Sequence, residues 1–351
     1  MLGLALDSFY AEGGGRAGRD FVTSPEVGPL FGAVVANALD SWWEELGSPD
    51  PFVVVEAGAG AGTLARAVLA ARPACSGALR YVLVERSESL RALHAAAVPL
   101  EPPGWVLGPR TYSDDDEDVV PETGAGPMCT SLAELPAQRL VGVVLANELL
   151  DNLPFLLLRR SEAGWDEVRV GERDGVLVNM HVPADEGLAR LGARFAPDAP
   201  VGAWIPLQQA AQQWVASALA LLERGRLVLF DYADVTSSMA ERRPWDWVRT
   251  YRGQQRGKDP LSDLGLQDVT CEVAVDQLAA VRPLASDMAQ ADWLRLHGLD
   301  DLLVEAKAAW QAGAASPDLA ALAARSRVSE AAALTDPTGL GSFRVLEWTA
   351  P

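Results

Sequence analysis

The chain of 351 residues is poor in the residue types that build disulfides and metal sites. Its three cysteines, Cys75, Cys129 and Cys271, form no C-x-x-C motif. An odd number without that spacing predicts free thiols in a reducing compartment, so we expect a cytoplasmic protein. The three histidines lie far apart in the sequence. We therefore expect neither a metal centre nor a Ser-His-Asp triad.

Long apolar runs and basic charge are also scarce. No apolar segment reaches the roughly 18 residues that a membrane-spanning helix needs, and the N-terminal stretch lacks the basic region of a signal or transit peptide. The net charge of −19 would repel nucleic acid phosphates and attract a cationic partner. We therefore expect no nucleic acid partner and no membrane span. Nothing in the sequence predicts an oligomeric state.

The sequence does contain an alternation of buried strands and helices. The runs "FVVVE", "RYVLVE", "VGVVLANE" and "GRLVLFDYAD" are apolar on both faces, and "TLARAVLAA" and "SLRALHAAA" have helical spacing. Strands of that kind are typical of a parallel sheet covered by helices on both sides. The alternation therefore predicts a doubly wound, Rossmann-like α/β fold.

The middle and the end of the chain depart from this alternation. Short strands within about 155–182, such as "WDEVRV", predict an antiparallel excursion. We expect residues 1–235 to form a Rossmann-like core that carries an N-terminal lid and this excursion. Residues 236–335 would form an inserted substrate or cap lobe with helices, and residues 336–351 a last strand that returns to the core sheet.

The stretch "FVVVEAGAGAGTLARAVLA" joins a strand to a helix through Gly58, Gly60 and Gly62. Glycines at such a turn let a ligand approach the backbone at a helix N-terminus, and both dinucleotides and S-adenosylmethionine use this geometry. Glu56 precedes the glycines, where a carboxylate suits the ammonium group of S-adenosylmethionine and would repel a pyrophosphate. Glu85 follows the turn by about 20 residues, which is the position expected of a ribose-binding acid in either ligand class.

A second polar group follows the next buried strand of the core, in "VVLANELLDNLPF". Ligands of open α/β sheets lie outside the carboxyl ends of the strands, so Asn147 and Glu148 would lie near the reacting group of a cofactor. Glu148 and Asp151 could hold a cationic amine or guanidinium. The alternative is that Asn147 caps a helix whose first turn carries the two acids.

Several stretches together resemble the MidA-like family of S-adenosylmethionine-dependent methyltransferases, to which the mitochondrial complex I assembly protein arginine methyltransferase belongs. They are "FVTSPEVGPLFG", "VEAGAGAGTLA", "YVLVERSESLR", "ANELLDNLP", "DPLSDLGLQDVTCEV", "QADWLRLHGL" and "GSFRVL". The resemblance implies a class I methyltransferase fold with an antiparallel last strand, an inserted lobe and S-adenosylmethionine as cofactor.

The resemblance also implies roles for individual residues. Gly58, Gly60 and Gly62 would line the cofactor, and Glu85 would contact its ribose. Asn147 and Glu148 would lie beside the transferred methyl group. Thr23, Pro25 and Glu26 would form an N-terminal loop that closes over the site.

The function expected on these grounds is N-methylation of an arginine in a protein substrate. One alternative is a small-molecule methyltransferase of specialised metabolism, in which the Trp/Tyr-rich segment from Arg242 to Lys258 walls an aromatic pocket. The other is a non-catalytic assembly factor that retains the fold.

Overall fold

The computed structural model describes residues 23–108, 124–252, 255–257, 259–262 and 264–351. Lys258, the end of the predicted pocket wall, and the first 22 residues of the predicted core segment lie outside this part. Its strands are β1 (Phe52–Ala57), β2 (Leu79–Val84), β3 (Met128–Leu132), β4 (Leu140–Asn147), β5 (Leu156–Ser161), β6 (Gly164–Arg173), β7 (Val176–Pro183), β8 (Trp204–Leu207), β9 (Leu222–Asp231), β10 (Ala233–Asp234), β11 (Val248–Arg252), β12 (Gln255–Arg256), β13 (Asp268–Cys271), β14 (Val273–Ala274), β15 (Ser286–Ala289) and β16 (Arg344–Ala350).

The helices of the described part include several of a single turn. They are α1 (Ser24–Val27), α2 (Pro29–Glu45), α3 (Thr63–Ala71), α4 (Glu88–Arg91), α5 (His94–Ala97), α6 (Pro103–Leu107), α7 (Glu186–Phe195), α8 (Gln209–Leu221), α9 (Thr236–Ala240), α10 (Pro244–Trp247), α11 (Val275–Ala279), α12 (Gln290–Leu296), α13 (Leu299–Gly313) and α14 (Leu319–Leu334). Short 3₁₀ turns lie at Ala74–Gly77, Leu150–Asn152 and Leu340–Ser342. No described helix is both long enough and apolar enough to cross a membrane.

The chain divides into two compact units, whose boundaries differ from the predicted segments. The described residues of the large-sheet unit come from Val22–Asn147, Ala218–Phe230 and Ala285–Pro351. The described residues of the inserted unit come from Glu148–Ser217 and Asp231–Leu284. The domain boundaries expected at residues 235 and 335 remain predictions. The compact units assign the antiparallel strands to the inserted unit and α12, α13 and α14 to the large-sheet unit.

The large-sheet unit is built on seven strands in the order β15-β16-β9-β4-β1-β2-β3. β1 pairs in parallel with β2 and β4, and β9 and β3 extend the parallel part on either side. β15 pairs antiparallel with β16. The predicted class I fold, a mostly parallel sheet with an antiparallel strand, is therefore confirmed. The strand order reverses between β1 and β4, which is the switch point where such sheets bind ligands.

The sequence explains why β1 and β2 are central. Every residue of both strands is buried, as their continuous apolar runs predict for strands covered on both faces. Helix α2 packs on this sheet through aromatic contacts. Phe31 meets Phe230 edge-to-face at 5.3 Å between ring centroids, and Phe230 meets Trp293 at 4.8 Å. Such aromatic pairs add to the burial energy of the core.

The inserted unit contains the predicted antiparallel strands. β7, β6, β5 and β8 form a four-stranded antiparallel sheet whose core includes Leu158, Trp165 and Ile205. A second core surrounds Trp247 and Cys271, beside the three-stranded sheet of β12, β11 and β13. Along "WDEVRV", Trp165 is buried, the next three residues are half-buried, and Arg169 and Val170 are exposed, so the strand becomes solvated along its length.

Three local expectations need correction. The stretch "SLRALHAAA" contains two short helices, α4 and α5, in place of one. The segment after Arg242, expected only as a pocket wall, contains the regular elements α10, β11 and β12. Strand β3 has no strong apolar run, and it belongs to the sheet because β2 offers it a parallel edge. In all three places tertiary context decides over local pattern.

Candidate functional site

The glycine turn of the large-sheet unit lies between β1 and α3. Gly58, Gly60 and Gly62 have φ angles of 71°, 55° and 80°, in the left-handed region that glycine adopts without strain. No described heavy atom lies within 4 Å of the position that a Cβ on Gly60 would take. A Cβ on Gly62 would instead lie 3.0 Å from the Cβ of Ala97. The turn therefore has an open side at Gly60 and a packed side at Gly62, which fits a ligand cradle.

Glu56 is directed into the protein interior. Its side chain is buried, and its Oε2 accepts a hydrogen bond from the Tyr81 hydroxyl at 2.7 Å. Burial raises the pKa of Glu56 to about 8, although the hydrogen bonds from Tyr81 and from the backbone of Ala65 act in the opposite direction. Ala65 lies in the first turn of α3, so Glu56 links β1 to the start of that helix. Its predicted contact with a cofactor ammonium stays a prediction.

Glu85 lies at the glycine turn, close to its predicted position. Its Oε2 accepts a hydrogen bond from the Gly60 N–H at 3.0 Å, and its Oε1 accepts one from the Ser87 N–H at 2.8 Å. The carboxylate is only half-buried. Glu85 therefore holds the turn through these two hydrogen bonds, and its contact with ribose hydroxyls remains a prediction.

The three predicted lid residues lie at the start of the described chain. Thr23 precedes α1, and its backbone N–H donates to Glu26 Oε2 at 3.4 Å. Pro25 occupies the first turn of that helix. The segment is fastened to α12 because the buried Ser24 hydroxyl donates to Gln290 Oε1 at 3.0 Å. Closure of this segment over a cofactor remains a prediction.

Asn147 is the last residue of β4 and pairs with Phe230 of β9. Ala146, one residue earlier, pairs with Ala57 of β1, so Asn147 lies at the same edge of the sheet as the glycine turn. Glu148 follows directly in the chain and has a φ of 51°, which costs a residue with a Cβ about 1–2 kcal/mol. Non-glycine residues held in this conformation are concentrated at functional sites.

The inserted unit groups the predicted acids with one that the sequence analysis missed. We call Glu148, Asp151 and Asp231 the acidic cluster. The backbone N–H groups of Leu150 and Asp151 donate to Asp231 Oδ2 at 3.1 and 3.3 Å. The Tyr232 hydroxyl donates to Asp151 Oδ2 at 3.0 Å. The sequence signal that could have identified Asp231 is "DYAD" at the end of β9. Because β9 runs parallel to β4, the two strands end at the same edge of the sheet.

The acidic cluster carries less negative charge than its composition implies. Asp151 and Asp231 are both buried. Burial raises the pKa of Asp151 to about 6, against hydrogen bonds from Tyr232 and Asn152 that lower it. Burial, together with the charges of Asp151 and Glu148, raises the pKa of Asp231 well above its usual value. Near neutral pH, Asp151 is therefore mostly ionised, while burial and the neighbouring charges shift Asp231 towards its neutral form.

A cavity of about 350 Å³ lies within the inserted unit, on the predicted Trp/Tyr-rich segment. Trp245, Arg249, Arg256 and Asp259 are among its lining residues. The Arg249 guanidinium lies 5.0 Å from the ring centroid of Tyr232, whose hydroxyl contacts the acidic cluster. Tyr232 thus contacts both a residue of the cavity lining, Arg249, and a member of the acidic cluster, Asp151.

Comparison with known proteins agrees with this geometry. The model of the family described as "Putative S-adenosyl-L-methionine-dependent methyltransferase" matches residues 34–292. A crystal structure of a COG1565 superfamily member from Burkholderia thailandensis bound to S-adenosyl-homocysteine has a TM-score of 0.74 at 26% identity. It covers 94% of this chain and 79% of that one. A native structure of a COG1565 superfamily protein from the same organism has a TM-score of 0.77, also at 26% identity, with 99% and 86% covered.

Curated relatives carry a more specific name. "Protein arginine methyltransferase NDUFAF7, mitochondrial" of Danio rerio is 26% identical over 318 residues, 81% of this chain and 67% of that protein. The NDUFAF7 homolog of Drosophila melanogaster is 33% identical over 164 residues, 44% of this chain and 35% of that protein. The matched part thus spans about a third of the Drosophila relative and about two thirds of the zebrafish one.

The parallel sheet and its open glycine turn define a class I S-adenosylmethionine-dependent methyltransferase. The chain belongs to the methyltransferase family whose model covers residues 34–292, and S-adenosylmethionine is its cofactor. The predicted resemblance, enzyme class and cofactor are therefore confirmed.

Proposed function

We propose that the protein methylates a guanidinium nitrogen of an arginine in a protein substrate. The observation that carries this proposal is the acidic cluster, which begins with Glu148 one residue after the end of β4. Grouped carboxylates of this kind bind a planar cation by charge-assisted hydrogen bonds. The name of the NDUFAF7 relatives supports the same acceptor, and the net charge of −19 favours a cationic partner.

The residues at the glycine turn and in the acidic cluster would have separate tasks. Gly58, Gly60, Gly62 and Glu85 would hold S-adenosylmethionine, which supplies a methyl group on a sulfonium. Asn147 would lie beside that group, as the sequence predicts. Orientation of the acceptor is the main contribution expected of the protein, and it can be worth about 7–11 kcal/mol.

Glu148 is the acid of the cluster best suited to meet the acceptor, since it is half-buried while Asp151 and Asp231 are buried. Its carboxylate would orient the guanidinium and take the proton that the nitrogen releases on gaining a methyl group. The ionised Asp151 adds negative potential to the cluster and strengthens the attraction for a cation. Glu148 is thus the proposed catalytic residue and Asp151 a supporting one.

The test supplies purified protein and methyl-labelled S-adenosylmethionine to a cell lysate, which is then split into protein and small-molecule fractions. We expect label in the protein fraction and, after acid hydrolysis, in methylarginine. Glu148→Gln should bind S-adenosylhomocysteine normally in a calorimeter and lose most of the transfer. Glu162→Gln is the matched control because Glu162 is exposed and belongs to the same unit. It should transfer methyl groups like the wild type.

Three results would contradict the proposal. Label confined to the small-molecule fraction would exclude a protein acceptor. Tight binding of S-adenosylhomocysteine without transfer to either fraction would favour the non-catalytic assembly factor. Methyl-lysine in place of methylarginine would support a protein substrate but contradict arginine as the methyl acceptor.

The second candidate function is methylation of a small molecule. The cavity of about 350 Å³ in the inserted unit favours it, since pockets of about 300–1,000 Å³ suit small ligands. Trp245 offers an aromatic wall, while Arg249 and Arg256 would select an anionic group on the acceptor. Trp245→Ala should then weaken transfer to the small-molecule fraction and leave transfer to protein unchanged.

A further inference from the structure

The peptide groups that flank the Gly60 Cα are held by two side chains of the large-sheet unit. On one side, the Gly60 N–H donates to Glu85 Oε2 at 3.0 Å. On the other, the Gly60 carbonyl lies 2.9 Å from Nε2 of His94. The Cα faces open space among the described residues. The side chains of Glu85 and His94 thus hold the turn on the side opposite its open face.

His94 is fully buried and connects the turn to a neighbouring strand. It begins α5, and its Nδ1 lies 2.8 Å from the hydroxyl of Ser131 on β3. No role for His94 is predicted from the sequence, because its contacts depend on residues 34 and 37 positions away. No spacing in the sequence reveals such a pair.

The proton positions follow from the partners. A carbonyl only accepts, so the His94 Nε2 must carry a hydrogen and donate it to Gly60. Burial lowers the pKa of His94, against raising contributions from the Gly60 carbonyl and Glu85, so the ring is neutral near neutral pH. Its Nδ1 is then an acceptor, and Ser131 donates to it. The tautomer with hydrogen on Nε2 is fixed by this chain of donors.

We propose that His94, held by Ser131, is a positioning residue of the S-adenosylmethionine site. The pair fixes the Gly60 carbonyl, and with it the direction in which the open side of the glycine turn faces. A turn that is already ordered loses less conformational freedom when the ligand binds, so affinity depends on the pair. This proposal concerns the cofactor and does not depend on the identity of the methyl acceptor.

The test measures the affinity for S-adenosylhomocysteine by calorimetry in four variants. His94→Leu removes both hydrogen bonds and should weaken binding about tenfold. His94→Gln places an amide donor where Nε2 lies and should stay within about threefold of the wild type. Ser131→Ala should weaken binding about threefold, because only the outer bond is lost.

His297→Gln is the matched control in the same unit, since the His297 ring packs against Trp42 and Trp293. It should bind like the wild type.

Three outcomes would overturn the proposal. They are wild-type affinity in His94→Leu, equal weakening by His94→Leu and His94→Gln, and equal weakening by His297→Gln. A nitrogen-15 spectrum of the wild-type imidazoles gives an answer even if His94→Leu fails to fold. It should show hydrogen on Nε2 of His94, with a shift when S-adenosylhomocysteine is added. Hydrogen on Nδ1, or no shift, would contradict the assignment.

Discussion

At the scale of single residues, burial raises the pKa of carboxyl groups in the interior of each unit. Glu56 is buried beside Tyr81 in the large-sheet unit. Asp151 and Asp231 lie side by side in the inserted unit. In each case burial raises the pKa because a charged carboxylate loses its hydration. These groups therefore make both stability and activity depend on pH.

Ionisation of Glu56 should lower the free energy of unfolding as the pH rises. Its folded-state pKa of about 8 exceeds the ordinary value of 4.5, so the folded protein binds more protons than the unfolded chain between these values. The free energy of unfolding of the cofactor-free protein should then fall by up to about 1.4 kcal/mol per pH unit from this group. Glu56→Gln, which stays neutral and can still accept from Tyr81, should remove that contribution.

Urea unfolding measured across this pH range checks the prediction. The stability gained by Glu56→Gln over the wild type should grow as pH increases. Glu44→Gln, at an exposed position of α2, should leave the wild-type slope unchanged. Parallel curves for the wild type and Glu56→Gln would show that Glu56 ionises normally.

Tyr232 should set the pH at which the acidic cluster becomes active. Its hydrogen bond lowers the pKa of Asp151, so Tyr232→Phe should raise that pKa above about 6. If transfer requires ionised Asp151, the acidic limb of the rate profile should move up by about one pH unit. Initial rates of S-adenosylhomocysteine formation against pH measure this shift. Asp151→Asn should remove the limb, and a Tyr232→Phe profile that superimposes on the wild type would refute the role of Asp151.

At the scale of elements, the start of α2 depends on a distant helix. The Leu30 N–H, in the first turn of α2, donates to Glu330 Oε2 of α14 at 2.9 Å. Glu330 is buried there, and a negative charge at a helix N-terminus is favourable. Because the N-cap residue of α2, Gly28, offers no side-chain cap, Glu330 takes the place of a local capping residue.

Glu330→Ala should therefore lower the free energy of unfolding by about 1–3 kcal/mol, because it leaves a buried N–H without an acceptor. Glu330→Gln keeps an acceptor oxygen and should cost less than half as much. Glu305→Ala, at an exposed position of α13, should stay within about 0.5 kcal/mol of the wild type. Chemical denaturation of the three variants supplies the values. Equal losses in Glu330→Ala and Glu305→Ala would show that the contact contributes nothing.

The elements also show where the sequence pattern is informative. The fully buried β1 and β2 are predicted from short, uninterrupted apolar runs, since such runs are typical of parallel strands covered on both faces. Strand β3 and the segment β11–β12 are missed because their residues are polar or aromatic and gain strand structure from the partner strand. The same limit applies to the site. Glu85 follows a predicted strand and is found, while His94 and Asp231 require contacts between separate segments.

At the scale of the whole molecule, the charge of −19 is the dominant electrostatic feature. Like charges on a compact surface repel one another, and salt screens this repulsion over about 10 Å at 0.1 M. We expect the melting temperature to rise when sodium chloride increases from about 10 to about 200 mM, because the screening length falls well below the size of the protein. Scanning fluorimetry at constant pH tests this. A fall in melting temperature would mean that attractive ion pairs outweigh the net repulsion.

The sequence by itself determined the class of fold and a nucleoside-binding turn, while S-adenosylmethionine as the ligand followed from Glu56 and from the resemblance to a methyltransferase family. Apolar runs, alternating glycines and a following acid act through local backbone geometry, which a linear pattern records. Only the tertiary structure decided that Glu56 is turned inward, that Asp231 joins Asp151, and that His94 holds the Gly60 carbonyl. The pKa values and the order of the glycine turn arise from burial and from contacts between distant segments, and neither is encoded in the spacing of nearby residues.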